Sequence, residues 1–292
     1  MSSLWYPSVK QSPFQGYTGY GGGPTGLMLK GAGGGPGSPK AWTSDKPSWV
    51  DSSFDSLRPY FWSDFESRNG VNGVSGSGSG AILDRSGNGR HAAAYDDGTA
   101  DWTPNMTTVG TGRGLNGNHT SLVFNQQQGV KINAGNGGGW PGPTYASFIT
   151  VTAYESTWNN RARIWSGGPG VNWLIGNWSG QTGVAYYNDG FINSSSHAAD
   201  QGDDFAVYYG HFNTKDDYLF GHKYDGASFV TYTTGGGSSS TWPEASEGVA
   251  INYGNHNEKT DGNLLMVGIW DYKLTTTQRN QIVDDVYNKY IN

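Results

Sequence analysis

The side chains that could do chemistry in this 292-residue chain are few and scattered. Its glutamates are Glu66, Glu155, Glu244, Glu247 and Glu258. Only two of them come close together, as Glu244-Ala-Ser-Glu247 in a Gly/Ser/Pro-rich stretch. General acid/base work by a carboxylate pair needs both groups held at a defined separation on rigid backbone. The histidines (His91, His119, His197, His211, His222 and His256) show no His-x-His or i,i+4 pair of the kind that grips a transition metal. No Gly-x-Ser-x-Gly elbow, His-Glu-x-x-His helix or Walker loop is present. With no cysteine, disulfides and thiolate metal sites are excluded. On these grounds the chain is expected not to be an enzyme.

Composition says what must position any site. Gly accounts for 47 residues, and the apolar mass sits in 12 Trp, 18 Tyr and 11 Phe, while charged residues are only 14%. That balance favours many short strands joined by Gly, Asn, Ser and Asp turns over long helices. The net charge of −6, without a basic cluster, argues against nucleic acid as a partner. No apolar run is long enough for a membrane-spanning helix. The start, Met1-Ser-Ser-Leu-Trp-Tyr-Pro, has neither a basic nor an apolar signal region, so no signal peptide is expected. The missing cysteines fit a reducing folding compartment or a bacterial or viral source.

The chain is organised around a stretch near its end. Asn263 to Trp270 is apolar on both faces, with Leu264, Met266 and Trp270 alternating with Leu265, Val267 and Ile269. Such a strand is expected mid-sheet, buried on both sides. The period then changes: Ile282, Val283, Val286, Tyr287 and Tyr290 recur at helical spacing, and Thr275 with Gln278 has the spacing of a capping box. About a dozen further segments read as strands, among them Phe148–Tyr154, Arg163–Ser166, Asn172–Gly176, Thr182–Tyr187 and Tyr218–Tyr224. The expected architecture is all-β, a two-sheet antiparallel sandwich spanning 51–292 with one closing helix packed outside.

Residues 1–50 differ. Tyr17-Thr-Gly-Tyr-Gly-Gly-Gly-Pro24 and Gly31-Ala-Gly-Gly-Gly-Pro-Gly37 cannot build a core. Yet the segment carries Trp5, Tyr6, Phe14, Tyr17, Tyr20, Leu27 and Leu29, which a passive linker lacks. It is expected to be an extended anchoring arm whose aromatic and apolar residues bury against its own domain or a neighbouring subunit.

Several pieces, in order, make the chain resemble the laminin-G-like family of concanavalin A-type jelly rolls. They are an aromatic opening strand (Arg58-Pro-Tyr-Phe-Trp-Ser-Asp-Phe65), an Asp-x-Ser-Gly-Asn-Gly turn (Asp84 to Gly89), Leu122-Val-Phe124 through Gly129-Val-Lys-Ile132, Phe148-Ile-Thr-Val-Thr-Ala-Tyr154, and Ile269-Trp270 followed by Leu274-Thr275 and the helix. The match covers roughly 55–290. It departs from the family at Asp203-Asp-Phe205, where a tryptophan usually begins the strand, and in the inserted loop 70–80. The first 30 residues resemble the N-termini of tailed-phage virion proteins that carry a C-terminal laminin-G-like domain.

The resemblance implies functions as well as a fold. Glycanases of this fold use a Glu-x-Asp-x-x-Glu strand, which the chain lacks. The arm's resemblance implies a structural component of a phage virion, a decoration or fibre-type protein assembled in the host cytoplasm, with other virion subunits as partners of the arm. The alternative is an adhesin that binds polysaccharide. For that role Trp173, Trp178, Tyr186, Asn188 and Asp189 offer stacking rings and hydrogen-bonding groups, although Trp173 and Tyr186 serve equally well as core. The family often holds one structural Ca²⁺ at the sandwich rim, for which Asp84, Asp189 and Asp225 are candidates. The same residues equally stabilise turns through their own hydrogen bonds.

Overall fold

The computed structural model describes residues 41–42, 46–65, 82–96, 105–124, 128–132, 146–154, 163–167, 173–178, 181–187, 190–193, 197–198, 204–214, 217–224, 228–234, 249–252 and 261–292. The chain divides into two compact units, Met1–Gly35 and Pro36–Asn292, and all the described residues belong to the second. Trp5, Tyr6, Phe14, Tyr17, Tyr20, Leu27 and Leu29, expected to anchor the chain, and the inserted loop 70–80 lie outside the described residues.

The second unit is a two-sheet antiparallel β-sandwich with one C-terminal helix. In chain order its strands are β1 (Phe61–Asp64), β2 (Ala93–Asp96), β3 (Asn105–Val109), β4 (His119–Phe124), β5 (Gln128–Ile132), β6 (Ala146–Tyr154), β7 (Arg163–Gly167), β8 (Trp173–Trp178), β9 (Gln181–Tyr187), β10 (Gly190–Asn193), β11 (His197–Ala198), β12 (Ala206–Thr214), β13 (Asp217–Lys223), β14 (Val230–Thr234), β15 (Val249–Ile251) and β16 (Gly262–Trp270), followed by α1 (Thr276–Tyr290). The first sheet runs β14-β13-β12-β6-β16-β4-β3, and β1 also pairs with β16. The second runs β10-β9-β8-β7-β15-β5-β2, and β11 also pairs with β9.

β16 is buried along its whole length, as its apolar character on both faces requires. β6 flanks it on one side, while β4 and then β1 share the other. Simple alternation mispairs its two halves, because a bulge at Leu265 shifts the register. Leu264 therefore joins Val267 and Ile269 in the core between the sheets, and Leu265 joins Met266 and Trp270 on the outer face.

That outer face has its own core. α1 lays Ile282, Val283, Val286, Tyr287 and Tyr290 on it, starting from Thr275, whose hydroxyl accepts from the Gln278 N–H while the Gln278 side chain accepts from the Thr275 N–H. The stretch from Trp42 to Leu57 covers the rest with Trp42, Val50, Phe54 and Leu57. Residues 41–50, read from composition as part of the arm, thus include side chains that pack into the sandwich. Trp62 is the hub, its ring 5.0 Å from Trp42, 5.9 Å from Trp49 and 6.0 Å from Trp270. Its register partner is Gly268, where a Cβ would fall 2.6 Å from the Trp62 ring, so glycine makes the space the indole occupies.

Candidate functional site

The first sheet is packed on both faces, and the described positions on the outer face of the second sheet, Lys131 (9% exposed), Ala250 (0%), Ser166 (0%) and Leu174 (2%), are buried as well. Pairing fixes which positions lie there. Val130, Ile132, Trp165, Ile175, Val249 and Ile251 face the core between the sheets. Their neighbours of opposite parity form a row across the sheet: Ala93↔Lys131, Lys131↔Ala250, Ala250↔Ser166, Ser166↔Leu174, Leu174↔Tyr186 and Tyr186↔Phe191. On β8, position 178 has the parity of Leu174, whereas position 173 has that of core Ile175. By register, positions 178 and 186 share one face of the sheet and position 173 falls on the other. Asn188 and Asp189 lie outside the described residues.

The middle of this face is polar. Lys131, Ser166 and Asn252 are buried there, and so is Arg163, which is only 1% exposed and sits on β7 next to a bulge. Asn252 is in the left-handed region at φ 52, and its N–H donates to the Arg163 carbonyl at 2.8 Å. Its amide Nδ2 donates to the Gln128 carbonyl at 2.8 Å. That turn presses the end of β15 onto β5, where a Cβ at Gly129 would fall 2.6 Å from the carbonyls of Ile251 and Asn252. Only glycine fits such an approach. Lys131, Arg163, Ser166 and Asn252 are thus buried polar groups of β5, β7 and the end of β15, while the aromatic positions 178, 186 and 191 lie toward the β8–β10 side. The signal for the donors was in the sequence: Lys131 is the polar interruption of Val-Lys-Ile, and Arg163 opens the apolar Ile-Trp pair.

Asp84 lies elsewhere, in the turn that closes over β1. Its Oδ1 accepts from the backbone N–H groups of Trp62 (3.1 Å) and Ser86 (2.8 Å), and its Oδ2 from the Ser86 hydroxyl and the Arg90 N–H, both at 2.8 Å. Asn88 ties the turn to the Pro59 and Tyr60 carbonyls, and Gly87 and Gly89 take positive φ (82 and 69). The Asp-x-Ser-Gly-Asn-Gly motif is therefore a turn-building device whose carboxylate is engaged by four protein donors. Among the described residues no cluster of three or more histidine, aspartate or glutamate side chains could hold a metal ion, and Asp189 and Asp225 lie outside them. Also among the described residues, no helix is long and apolar enough to cross a membrane.

No protein-family model matches the sequence, and no curated protein does. Among solved structures the fold is similar to that of a GH54 α-L-arabinofuranosidase, at 16% identity over 72% of this chain and 51% of that one, with a TM-score of 0.46. It is also similar to domain 4 of AbnA, a GH43 extracellular arabinanase from Geobacillus stearothermophilus, solved with arabinotriose (12% identity, 78% of this chain and 98% of that domain, TM-score 0.49). A third similar structure is a Trypanosoma rangeli sialidase (8%, 68% of this chain and 33% of that one, TM-score 0.42). The chain spans about half the length of the arabinofuranosidase. At these identities the likeness concerns the fold.

One expectation is corrected here. The chain was expected not to be an enzyme, but glycosidases are among the proteins it resembles in fold. Moreover, Glu66, Glu155, Glu244, Glu247 and Glu258 all lie outside the described residues, so the missing strand pattern does not by itself make this a non-enzyme.

Proposed function

We propose that the chain is a carbohydrate-binding β-sandwich whose ligand face is the outer face of its second sheet. The observation that carries this reading is the register that puts positions 178, 186 and 191 on the same face as Lys131 and Ser166. Sugars stack on aromatic rings, and positions 178, 186 and 191, aromatic in the sequence, fall by register on one face at the β8–β10 side. Calcium held through Asp189 and Asp225 belongs to the same reading and rests on the laminin-G-like resemblance of the sequence. The test is a glycan array run with calcium and with a chelator, on the full chain and on Trp178→Ala and Tyr186→Ala. Binding to a defined polysaccharide, lost in both variants at unchanged melting temperature, is the expected result. No hit in either condition sinks the reading, and a hit insensitive to both substitutions moves the site elsewhere.

A second role is compatible with the first. We infer that residues 1–35 anchor the sandwich to other subunits of a phage virion. The support is the aromatic, Gly-rich composition of the segment and its resemblance to tailed-phage virion N-termini. Full-length protein should assemble in light scattering while a chain lacking residues 2–35 stays monomeric. Two monodisperse monomers would remove the arm as an assembly device.

A further inference from the structure

Asn116 is exposed, precedes Gly117, and caps the C-terminal end of α1 from a different part of the chain. Its side-chain Nδ2 donates to the carbonyls of Asn292 (2.8 Å), Asn288 (3.2 Å) and Lys289 (3.4 Å), and its backbone N–H donates to the Tyr290 carbonyl at 3.0 Å. The last carbonyls of a helix have no partner within it, so this one amide satisfies several of them at once. Three surrounding acceptors also fix which end of the amide is nitrogen. The Oδ1 then faces His119 Nε2 at 2.9 Å, and because an amide oxygen only accepts, Nε2 carries the hydrogen. That bond draws electron density from the side-chain carbonyl carbon, Cγ. The next residue has no Cβ to hinder approach of its backbone nitrogen to that carbon.

We propose that Asn116–Gly117 is a deamidation site whose reaction uncaps α1. The Gly117 nitrogen attacks Asn116 Cγ; the N–Cγ bond forms, the Cγ–Nδ2 bond breaks, and ammonia leaves with the proton from the attacking nitrogen. Water then opens the cyclic imide at either carbonyl, yielding aspartate or isoaspartate. The product has an anionic oxygen where the amide donated. It faces carbonyl oxygens at the negative end of the helix, where a carboxylate is unfavourable. The contact weakened is the one beside Tyr290, whose ring packs against His119 (5.1 Å) and Trp49 (5.9 Å) at the border of the outer core.

Gly117→Ala separates the chemistry from the cap. A Cβ there would meet nothing nearer than His119 Nε2 at 3.9 Å, so the fold accommodates it. The experiment is peptide mass spectrometry of full-length wild type and Gly117→Ala after prolonged incubation in mildly alkaline, non-denaturing buffer, with melting curves of wild type and Asn116→Asp alongside. Expected are aspartate and isoaspartate accumulating at position 116 in wild type, their loss in Gly117→Ala, and a lower melting temperature for Asn116→Asp. If the native protein keeps its amide, or if Gly117→Ala reacts as fast, the site is wrong. An unchanged melting temperature for Asn116→Asp would overturn the uncapping.

Discussion

Asp285 illustrates how single charges are handled at the edge of the outer core. Burial pushes its carboxyl above the usual range, against the lowering effect of the hydrogen bonds donated by the Asp51 N–H (2.8 Å) and the Gln281 amide (2.8 Å). Asp51 is shifted the other way, chiefly by the Ser53 N–H that its side chain accepts as the N-cap of a short 3₁₀ turn. The sign for Asp285 follows from linkage. A carboxyl raised in the folded state binds its proton more tightly there than in the unfolded chain, so the wild type loses stability as pH rises through the folded pKa. Asp285→Asn should therefore be more stable than wild type at neutral pH, with the advantage shrinking on acidification through the carboxylate range. Melting temperatures against pH check this. A constant deficit at every pH would mean that the variant's loss is one of hydrogen bonding, not of charge. Which residues carry such shifts was not legible in the sequence, because Asp51 and Asp285 are brought together only by folding.

At the scale of elements, α1 and β16 were the most legible parts of the chain. Thr275 and Gln278 form the reciprocal cap that their spacing predicts, and the residues at helical spacing are those buried. β16 sits mid-sheet as an apolar strand must, but its bulge at Leu265 was invisible, since a register shift depends on the strands pairing with it. β3 escaped the strand pattern because it is an edge strand with Thr107 and Thr108 exposed and little apolar alternation. The segment from Trp42 to Leu57 was the larger surprise. Gly and Pro upstream made its first part, to residue 50, read as arm, yet the Trp42 N–H donates to the Asp55 carbonyl and its ring is 1% exposed against Trp62. Trp42→Ala should cost about 3–5 kcal/mol, as truncation of a fully buried tryptophan does. Denaturant unfolding of the full chain measures it, and a loss below ~1 kcal/mol, the scale of an ordinary single substitution, would show that the strap adds little to the sandwich.

At the scale of the molecule, the two sheets play unequal parts. The first is covered on one face by its partner sheet and on the other by α1 and the strap. The second shares the core between the sheets and buries Lys131 and Ser166, with Ala250 and Leu174 beside them, on its other face. Of the candidate site, the two strands were legible in the sequence, Tyr186 lying on β9 as its segment predicts, while β8 runs on past the predicted end at Gly176 to include Trp178. Their common face was not. Trp173 looked equivalent to Trp178 in sequence but has the parity of Ile175, because five residues apart on a pleated strand means opposite faces. By itself the sequence determined the all-β class, the buried last strand and the capped closing helix, because periodicity and capping depend on residues close in the chain. Only the tertiary structure decided that Lys131, Arg163, Ser166 and Asn252 belong to one face and that Asn116 closes the end of α1. Those neighbours are set by pairing and packing between segments far apart in sequence, which no local pattern encodes.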